Sequence, residues 1–368
     1  MPEKWEKVKL SDVATIKYGK DHKKLDDGKI PVYGTGGVMR YVDTPLYGKK
    51  SVLIPRKGSL GSLFFVEKPF WTVDTLFYTE IDENRIIPEY LYYKLKTFDL
   101  ANMNVGSAVP SLTTAILNPI EFELPPIEVQ SEIAKTLGVL DKKIESNKEI
   151  NHHLAEIAKS IFDSYFIDLS PYDGVMPDDW QLSNLTGIAN YLNGLAMQKH
   201  RPQSNEQGLP VLKIKELRQG FTDSTSDLCS SNIRRDYIIH DGDVIFSWSG
   251  SLLVDFWTGG DCGLNQHLFK VSSETYDKWF YYAWTKHHLD RFVKMAADRA
   301  TTMGHIKRDA LEKAEVLIPS NKDYQEIGNK LKPIYDQIIN NRVESRKLVA
   351  LRDTLLPKLM SGEISATD

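Results

Sequence analysis

Few stretches of this 368-residue chain combine residue types that could do chemistry. "YGTGG" at 33–37 has the glycine density of a phosphate-cradling loop. It lacks the Lys-Ser/Thr of an NTPase loop and the third glycine of a dinucleotide fingerprint. It reads instead as a glycine turn, or as backbone that comes close to a ligand. "SWSGS" at 247–251 is not a G-x-S-x-G nucleophile elbow. His152 and His153 are adjacent, as are His287 and His288, so each pair splays rather than converging on one ligand. Asp27-x-Lys29 and Asp141-x-Lys143 are two-residue fragments of nuclease motifs, expected by chance in a chain that is 26% charged. There is no aromatic-Pro-Pro dipeptide of an amino-methyltransferase and no glycine-rich methyl-donor loop. Cys229 and Cys262 have no metal-ligand spacing and suit a reducing cytoplasm. The expectation is a chain with no catalytic set and no metal site.

The chemistry that remains is binding. Lys20, Lys23 and Lys24 lie in "KYGKDHKK", and Lys199, His200 and Arg201 lie in "QKHRPQ". Arg40, Arg56 and Lys57 sit near glycine turns, as do Lys213, Lys215, Arg218, Arg299 and Lys307 further on. Cations beside Gly, Ser and Thr loops, including Thr35, Gly36 and Gly37, suit phosphate contacts. Arg40, Asn265, Gln266 and Arg299 have the donor and acceptor groups that suit base edges. The net charge of −4 and pI near 6.2 mean that any nucleic-acid surface must be local.

The elements that must position these residues come in two sets. "EKWEKVKLSDVATIKYGK" resembles "DDWQLSNLTGIANYLNGL", aligning Trp5 with Trp180 and Gly19 with Gly194. Further along, Pro31 aligns with Pro210, Gly58 with Gly250, and "YLYYKL" with "WFYYAW". Short β-rich runs such as "SVLIP", "SLFFVE", "LFYTEI", "DVIFSW" and "HLFKV" alternate with turns, and one aromatic-rich helix follows in each half, near 89–98 and 276–292. The fold class expected is α+β, with two similar mixed domains at 1–125 and 169–318.

Helical spacers at 126–168 and 319–368 follow the two domains. The first seam runs through Leu137, Leu140, Ile144, Leu154 and Ile161, and the second through Leu331, Ile334, Ile338, Leu348 and Leu355. Both turn polar centrally, at Asn147 and Asn151 and at Asn341 and Ser345, each 194 positions on (341 − 147 = 345 − 151 = 194). A 3.5-residue apolar repeat is a coiled-coil signature, and each seam has the other to bury against. A pair of long antiparallel helices is therefore expected. Gly138 and Pro333 suggest a joint in each spacer, with short helices at 128–137 and 324–332, and Pro357 suggests a kink or early stop.

"VYGTGGVMRYVD", "LIPRKGSLG", "TVDTLFY", "GSAVPSLT", "ELPPIEVQSEIAKTLGVLDKKIESN", "AKSIFDSYF" and "LRDTLLPKLMSGEI" together resemble the DNA-specificity subunit of type I restriction–modification systems, in that family's order and over essentially the whole chain. The second half departs from the pattern. "ATTMGH" stands at 300–305 in place of "SAVPSL", and "IPSNKDYQ" in place of Pro-Pro-x-x-x-Gln. The resemblance implies two target-recognition domains, each reading half of a bipartite, asymmetric double-stranded DNA target. It implies paired helices that hold the domains apart and dock two methyltransferase subunits, to which restriction (motor-nuclease) subunits are added. The chain would be non-catalytic and hold no cofactor. S-adenosylmethionine, ATP and magnesium would belong to its partners, and it would work in the cytoplasm without a membrane. A helix of about 28 residues spans roughly 42 Å, or about 12 base pairs. Two other readings are a self-sufficient nuclease or methyltransferase and a coiled-coil scaffold that binds only proteins. The first requires a catalytic motif, the second an absence of salt-dependent DNA binding.

Overall fold

The computed structural model describes residues 5–58, 60–103, 111–297 and 308–366. The chain divides into two units, Met1–Lys142 with Leu348–Asp368, and Lys143–Lys347.

The first unit opens with β1 (Glu6–Lys9), the short α1 (Leu10–Val13) and β2 (Ala14–Tyr18). Next come β3 (Asp27–Gly34), β4 (Gly37–Val42), β5 (Ser51–Pro55), β6 (Phe64–Val66), β7 (Trp71–Thr72) and β8 (Leu76–Ile81). Helix α2 (Pro88–Lys96), α3 (Thr114–Leu117) and β9 (Glu121–Leu124) complete it before the long α4 (Ile127–Phe162). Its sheets have the orders β2-β8-β5-β6 and β4-β3-β7, and β1 pairs with β9. Pro31 lies in β3, a middle strand, where a missing N–H is usually disruptive. It is tolerated because the two-residue β7 pairs only with Val32 and Tyr33, and β3 is bulged against β4 on either side of Pro31.

The second unit repeats this plan. It has β10 (Gln181–Asn184), α5 (Leu185–Ile188), β11 (Asn190–Asn193), β12 (Leu209–Leu212), α6 (Ile214–Gln219), β13 (Leu228–Cys229) and β14 (Ile238–Ile239). These are followed by β15 (Val244–Ser247), β16 (Leu253–Phe256), β17 (Cys262–Leu264) and β18 (Leu268–Ser272). Then come α7 (Lys278–His287), α8 (Leu289–Ala297), α9 (Arg308–Glu312), β19 (Glu315–Ile318) and α10 (Asn321–Ser361). The order β11-β18-β15-β16 matches β2-β8-β5-β6, β10–β19 matches β1–β9, and parallel β12–β17 matches parallel β3–β7. This is mixed helix and strand in two like units.

Each aromatic helix is fixed to the start of a long helix by one side chain. The buried Gln130 of α4 accepts the N–H of Ile87, just before α2, at 2.9 Å, and donates to the carbonyls of Arg85 and Pro125. At the matching place in the second unit (324 − 130 = 194) stands Tyr324, whose hydroxyl accepts the N–H of Asp277, just before α7, at 2.8 Å. The second unit thus departs from Pro-Pro-x-x-x-Gln in residue but not in task. Both side chains supply a partner for a helix-terminal N–H.

The expected joints are absent. Helix α4 runs unbroken for 36 residues through Gly138, and α10 for 41 through Pro333 and Pro357. One glycine costs a helix only about 1 kcal/mol. Each proline deprives one carbonyl of its bond, and the residues concerned, Asn329 and Asp353, are exposed. Beyond α4 the chain takes a single π-helical turn, Asp163–Ile167, that sets Phe166 among Trp180, Phe280 and Trp284.

Candidate nucleic-acid interface

The aligned glycines mark where loops converge. Gly19 follows β2 and has no room for a side chain, because a Cβ would collide with the carbonyl oxygen of Val73. Gly194 follows β11 and a Cβ there would collide with the carbonyl oxygen of Asn265. Their N–H groups donate to equivalent carbonyls, Leu76 at 3.1 Å and Leu268 at 3.0 Å. The segment 72–76 is thus the counterpart of 264–268, and Asn265 and Gln266 occupy the places of Val73 and Asp74. Gly58 and Gly250 are a second pair, both left-handed with φ of 84° and 65°. A Cβ on Gly58 would sit 3.7 Å from the Thr35 hydroxyl, and one on Gly250 would sit 3.6 Å from Ile214 Cδ1.

In the first unit the convergence brings Thr35 beside the loop carrying Arg56 and Lys57. Arg56 donates to the Asp74 carbonyl at 3.1 Å, and its guanidinium lies 5.3 Å from the ring centre of Tyr18. Thr35 and Gly36 form the tip of the β3–β4 hairpin, whose last pair is Gly34 with Gly37. Arg40 is turned back along this hairpin, donating to Asp27 at 2.6 Å and to the Leu25 carbonyl at 3.2 Å. Lys20, Lys23 and Lys24 are exposed on the β2–β3 connection, where the Lys20 carbonyl accepts the Trp71 indole N–H.

In the second unit a cleft of about 480 Å³ gathers Arg201, Lys213, Lys215, Asn265 and Gln266, all singled out by sequence. It adds His267, which sequence reasoning missed. The ring of His267 is 3.1 Å from the Ser249 hydroxyl, and the backbone N–H of His267 donates to Asn265 Oδ1 at 3.3 Å. Aligning "LNQHLFK" with "TVDTLFY" would have located it. The cleft's cations are already paired. Lys213 hydrogen-bonds Asp227, Arg201 lies 3.8 Å from that carboxylate, and Lys215 lies 3.4 Å from Asp223. The Lys213 contact holds Asp227 below the usual carboxylate range. The Thr225 hydroxyl and N–H, with Lys215, hold Asp223 down to about 2. Lys199, His200 and Arg218 do not line the cleft. Arg299, Lys307 and the "ATTMGH" segment lie outside the described residues.

The long helices meet where both seams are polar. Asn147 donates to the Asn341 carbonyl at 3.3 Å, to Glu344 at 2.7 Å and to Ser345 at 3.2 Å. Asn151 donates to the Ile338 carbonyl at 3.1 Å and accepts from Asn341 Nδ2 at 2.9 Å. Numbers rise on one helix as they fall on the other, so within the second unit the segments run in opposite senses. Of the seam residues, Leu137, Ile144, Leu331 and Ile338 are buried. Leu140, Leu154, Ile161, Ile334, Leu348 and Leu355 are half-buried. In the first unit Arg352 reaches Asp141 at 2.7 Å, and the Tyr93 hydroxyl donates to the same carboxylate at 2.7 Å.

Among the described residues no group of His, Cys, Asp and Glu could hold a metal ion, and no helix is long and apolar enough to cross a membrane.

The type I restriction modification DNA specificity domain matches twice, over residues 2–156 and 177–347. The chain is 26% identical over 343 residues to the type I restriction enzyme MjaIX specificity subunit of Methanocaldococcus jannaschii, covering 87% of this chain and 78% of that one. It is 21% identical over 412 residues to the HindI specificity subunit of Haemophilus influenzae, covering 88% and 89%. Its fold is like that of the type I restriction–modification S subunit from M. genitalium, with a TM-score of 0.66 at 16% identity over 97% and 96% of the two chains. With two copies of the domain covering most of its length, the chain belongs to the family of type I restriction–modification DNA-specificity subunits.

Proposed function

We propose that the chain reads a bipartite, asymmetric double-stranded DNA target, with one half-site for each repeat. The domains at 1–125 and 169–318 are its target-recognition domains, and the spacers at 126–168 and 319–368 form an antiparallel coiled coil that sets the distance between half-sites. The observation that carries this reading is the duplicated loop junction, Gly19 on Val73 and Gly58 on Thr35 against Gly194 on Asn265 and Gly250 on Ile214. The junction gathers cations and side-chain amides in the second repeat and cations in the first. Two like domains can each present the same face to one duplex, and two different loop sets then read two different sequences.

The chain selects the sequence and leaves the chemistry to partners. Two methyltransferase subunits dock on the helical spacers and bring S-adenosylmethionine, and motor-nuclease subunits bring ATP and magnesium. The complex works in the cytoplasm. Because Lys213, Arg201 and Lys215 are paired with Asp227 and Asp223, phosphate must compete with carboxylates, which keeps the isolated chain a weak, salt-sensitive DNA binder.

The test is to delete one heptad from each long helix. Seven residues at 1.5 Å each shorten the spacer by about 10 Å, or about three base pairs. Methylome sequencing of cells expressing the shortened chain with its methyltransferase partner should return the same half-sites about three base pairs closer. An unchanged gap would refute the spacer role.

A further inference from the structure

The cleft of the second unit holds two side-chain amides, Asn265 and Gln266, and they are not equally available. Asn265 is 6% exposed, and its Oδ1 is turned inward onto the backbone N–H of His267. Its own carbonyl accepts the N–H of Leu268 at 3.0 Å. Asn265 therefore builds the turn against which Gly194 packs. Gln266 is half-buried, and among the described residues its amide makes one hydrogen bond, with Nε2 3.4 Å from His267 Nε2. A carboxamide has an acceptor oxygen and two N–H donors, so one bond to the ring leaves an acceptor and a donor side by side.

Gln266 is held from both ends. Its backbone N–H donates to the Leu195 carbonyl at 2.8 Å. The ring beside its amide is fixed in turn, since His267 Nδ1 lies 3.1 Å from the hydroxyl of Ser249, which is 2% exposed. A reading group held in place before its ligand arrives loses less freedom on binding. The surroundings select the ligand. Arg201, Lys213 and Lys215 are matched by Asp227, Asp223 and the buried Glu216, which accepts the Lys213 N–H and the Ser226 hydroxyl. Among the described residues the cleft therefore carries no excess charge for a phosphate and suits an uncharged edge. Leu228, 47% exposed, lines the same cleft. In the major groove an oxygen and an N–H together match N6 and N7 of adenine, and an apolar side chain meets the methyl of the paired thymine. Guanine offers two acceptors there, which would leave the Gln266 oxygen unpaired.

We infer that Gln266 is the residue through which the second unit reads an adenine in the major groove, its Oε1 accepting from N6 and its Nε2 donating to N7. His267, held by Ser249, is its positioning residue, and Asn265 builds the turn without reading a base. This rests on the proposal that each repeat reads one half-site.

The experiment uses the full chain co-expressed with its methyltransferase partner. Gln266→Ala should relax a single A·T pair in one half-site, raising methylation at targets altered there by about 10-fold relative to the parent target. Gln266→Asp, an acceptor only, should favour C·G at that place. A carboxylate suits this backbone, since Asp74 stands at the corresponding place in the first unit. His267→Phe keeps a ring but no nitrogen, and should lose selectivity at the same pair while the rest of the half-site is read as before. The parent complex supplies a second readout. Replacing that adenine by 7-deazaadenine in a duplex carrying the mapped target removes N7 and should weaken binding by about 10-fold, and the Gln266→Ala complex should be indifferent to the change. A motif kept intact by Gln266→Ala overturns the inference, as does relaxation at a G·C pair. A parent complex indifferent to 7-deazaadenine at every adenine of its target overturns it without any variant. So does a Gln266→Ala chain that keeps its motif and loses methyltransferase docking, the result expected of a cleft that holds a protein segment. If the parent chain directs no bipartite motif, the underlying proposal fails instead, so the two failures are distinguishable.

Discussion

Replacing Asn341 by leucine isolates the polar centre of the helix pair. The side chain donates to Asn151 Oδ1 at 2.9 Å and accepts from Gln337 at 2.6 Å. Gln337 is exposed and regains water, but the half-buried Asn151 Oδ1 loses its partner. One such orphan costs about 1–3 kcal/mol, so Asn341→Leu should lose about 2 kcal/mol. Asn151→Leu removes a bond to the Ile338 carbonyl and strands Asn341 Nδ2 at a site only 6% exposed, for about 2–3 kcal/mol. The double substitution strands neither group and puts an apolar contact in place of their pair, so it should fall within about 1 kcal/mol of the parent. The expected coupling is about 3 kcal/mol, well above the scatter of independent sites. Urea unfolding followed by tryptophan emission measures it, since five of the seven tryptophans lie in Lys143–Lys347. Additive losses of about 4–5 kcal/mol would refute the reasoning.

Gly138→Ala should stabilise α4 by up to about 1 kcal/mol in thermal unfolding, because a Cβ there meets nothing nearer than the Tyr93 hydroxyl at 4.0 Å. A loss would mean that Gly138 serves as the joint its position suggests. Gln130→Ala should cost about 2–3 kcal/mol and Tyr324→Phe about 1 kcal/mol, read as faster amide exchange at the starts of α2 and α7. Burial pushes His288 down to about 4, while its Nε2–H donates to the Glu315 carbonyl at 2.8 Å. The unfolded chain binds a proton near pH 6.5 that the folded one refuses. Stability of the second unit should therefore fall as pH drops from about 6.5 to about 4, on the order of 3 kcal/mol in all. A His288→Gln chain should show a flatter profile.

The sequence made the sheet strands legible because they are short apolar runs between turns. "SVLIP" and "LFYTEI" coincide with β5 and β8, and "DVIFSW" overruns β15 by one residue at each end. The aligned glycines were legible because only glycine fits against the carbonyls of Val73 and Asn265. The helices were misjudged at Gly138 and Pro333, where single-residue propensity loses to a long helix packed on one face. Helix 276–292 is in fact two, α7 and α8, meeting at His288. Tyr324 in the place of Gln130 could not be read at all, since unlike side chains can offer an acceptor oxygen at the same point. Nor could the β3–β4 hairpin, because "YGTGG" specifies a turn but not which strands it joins. Of the candidate contacts in the cleft, Lys213 and Lys215 are distant in sequence from Asn265 and Gln266, and the parallel β12–β17 pair brings them together.

The most direct test of the central claim is the methylome of cells expressing the unaltered chain with its methyltransferase partner. The expected result is one asymmetric motif of two specific half-sites separated by a fixed run of unread base pairs. A single contiguous motif, or methylation indifferent to this chain, would contradict it.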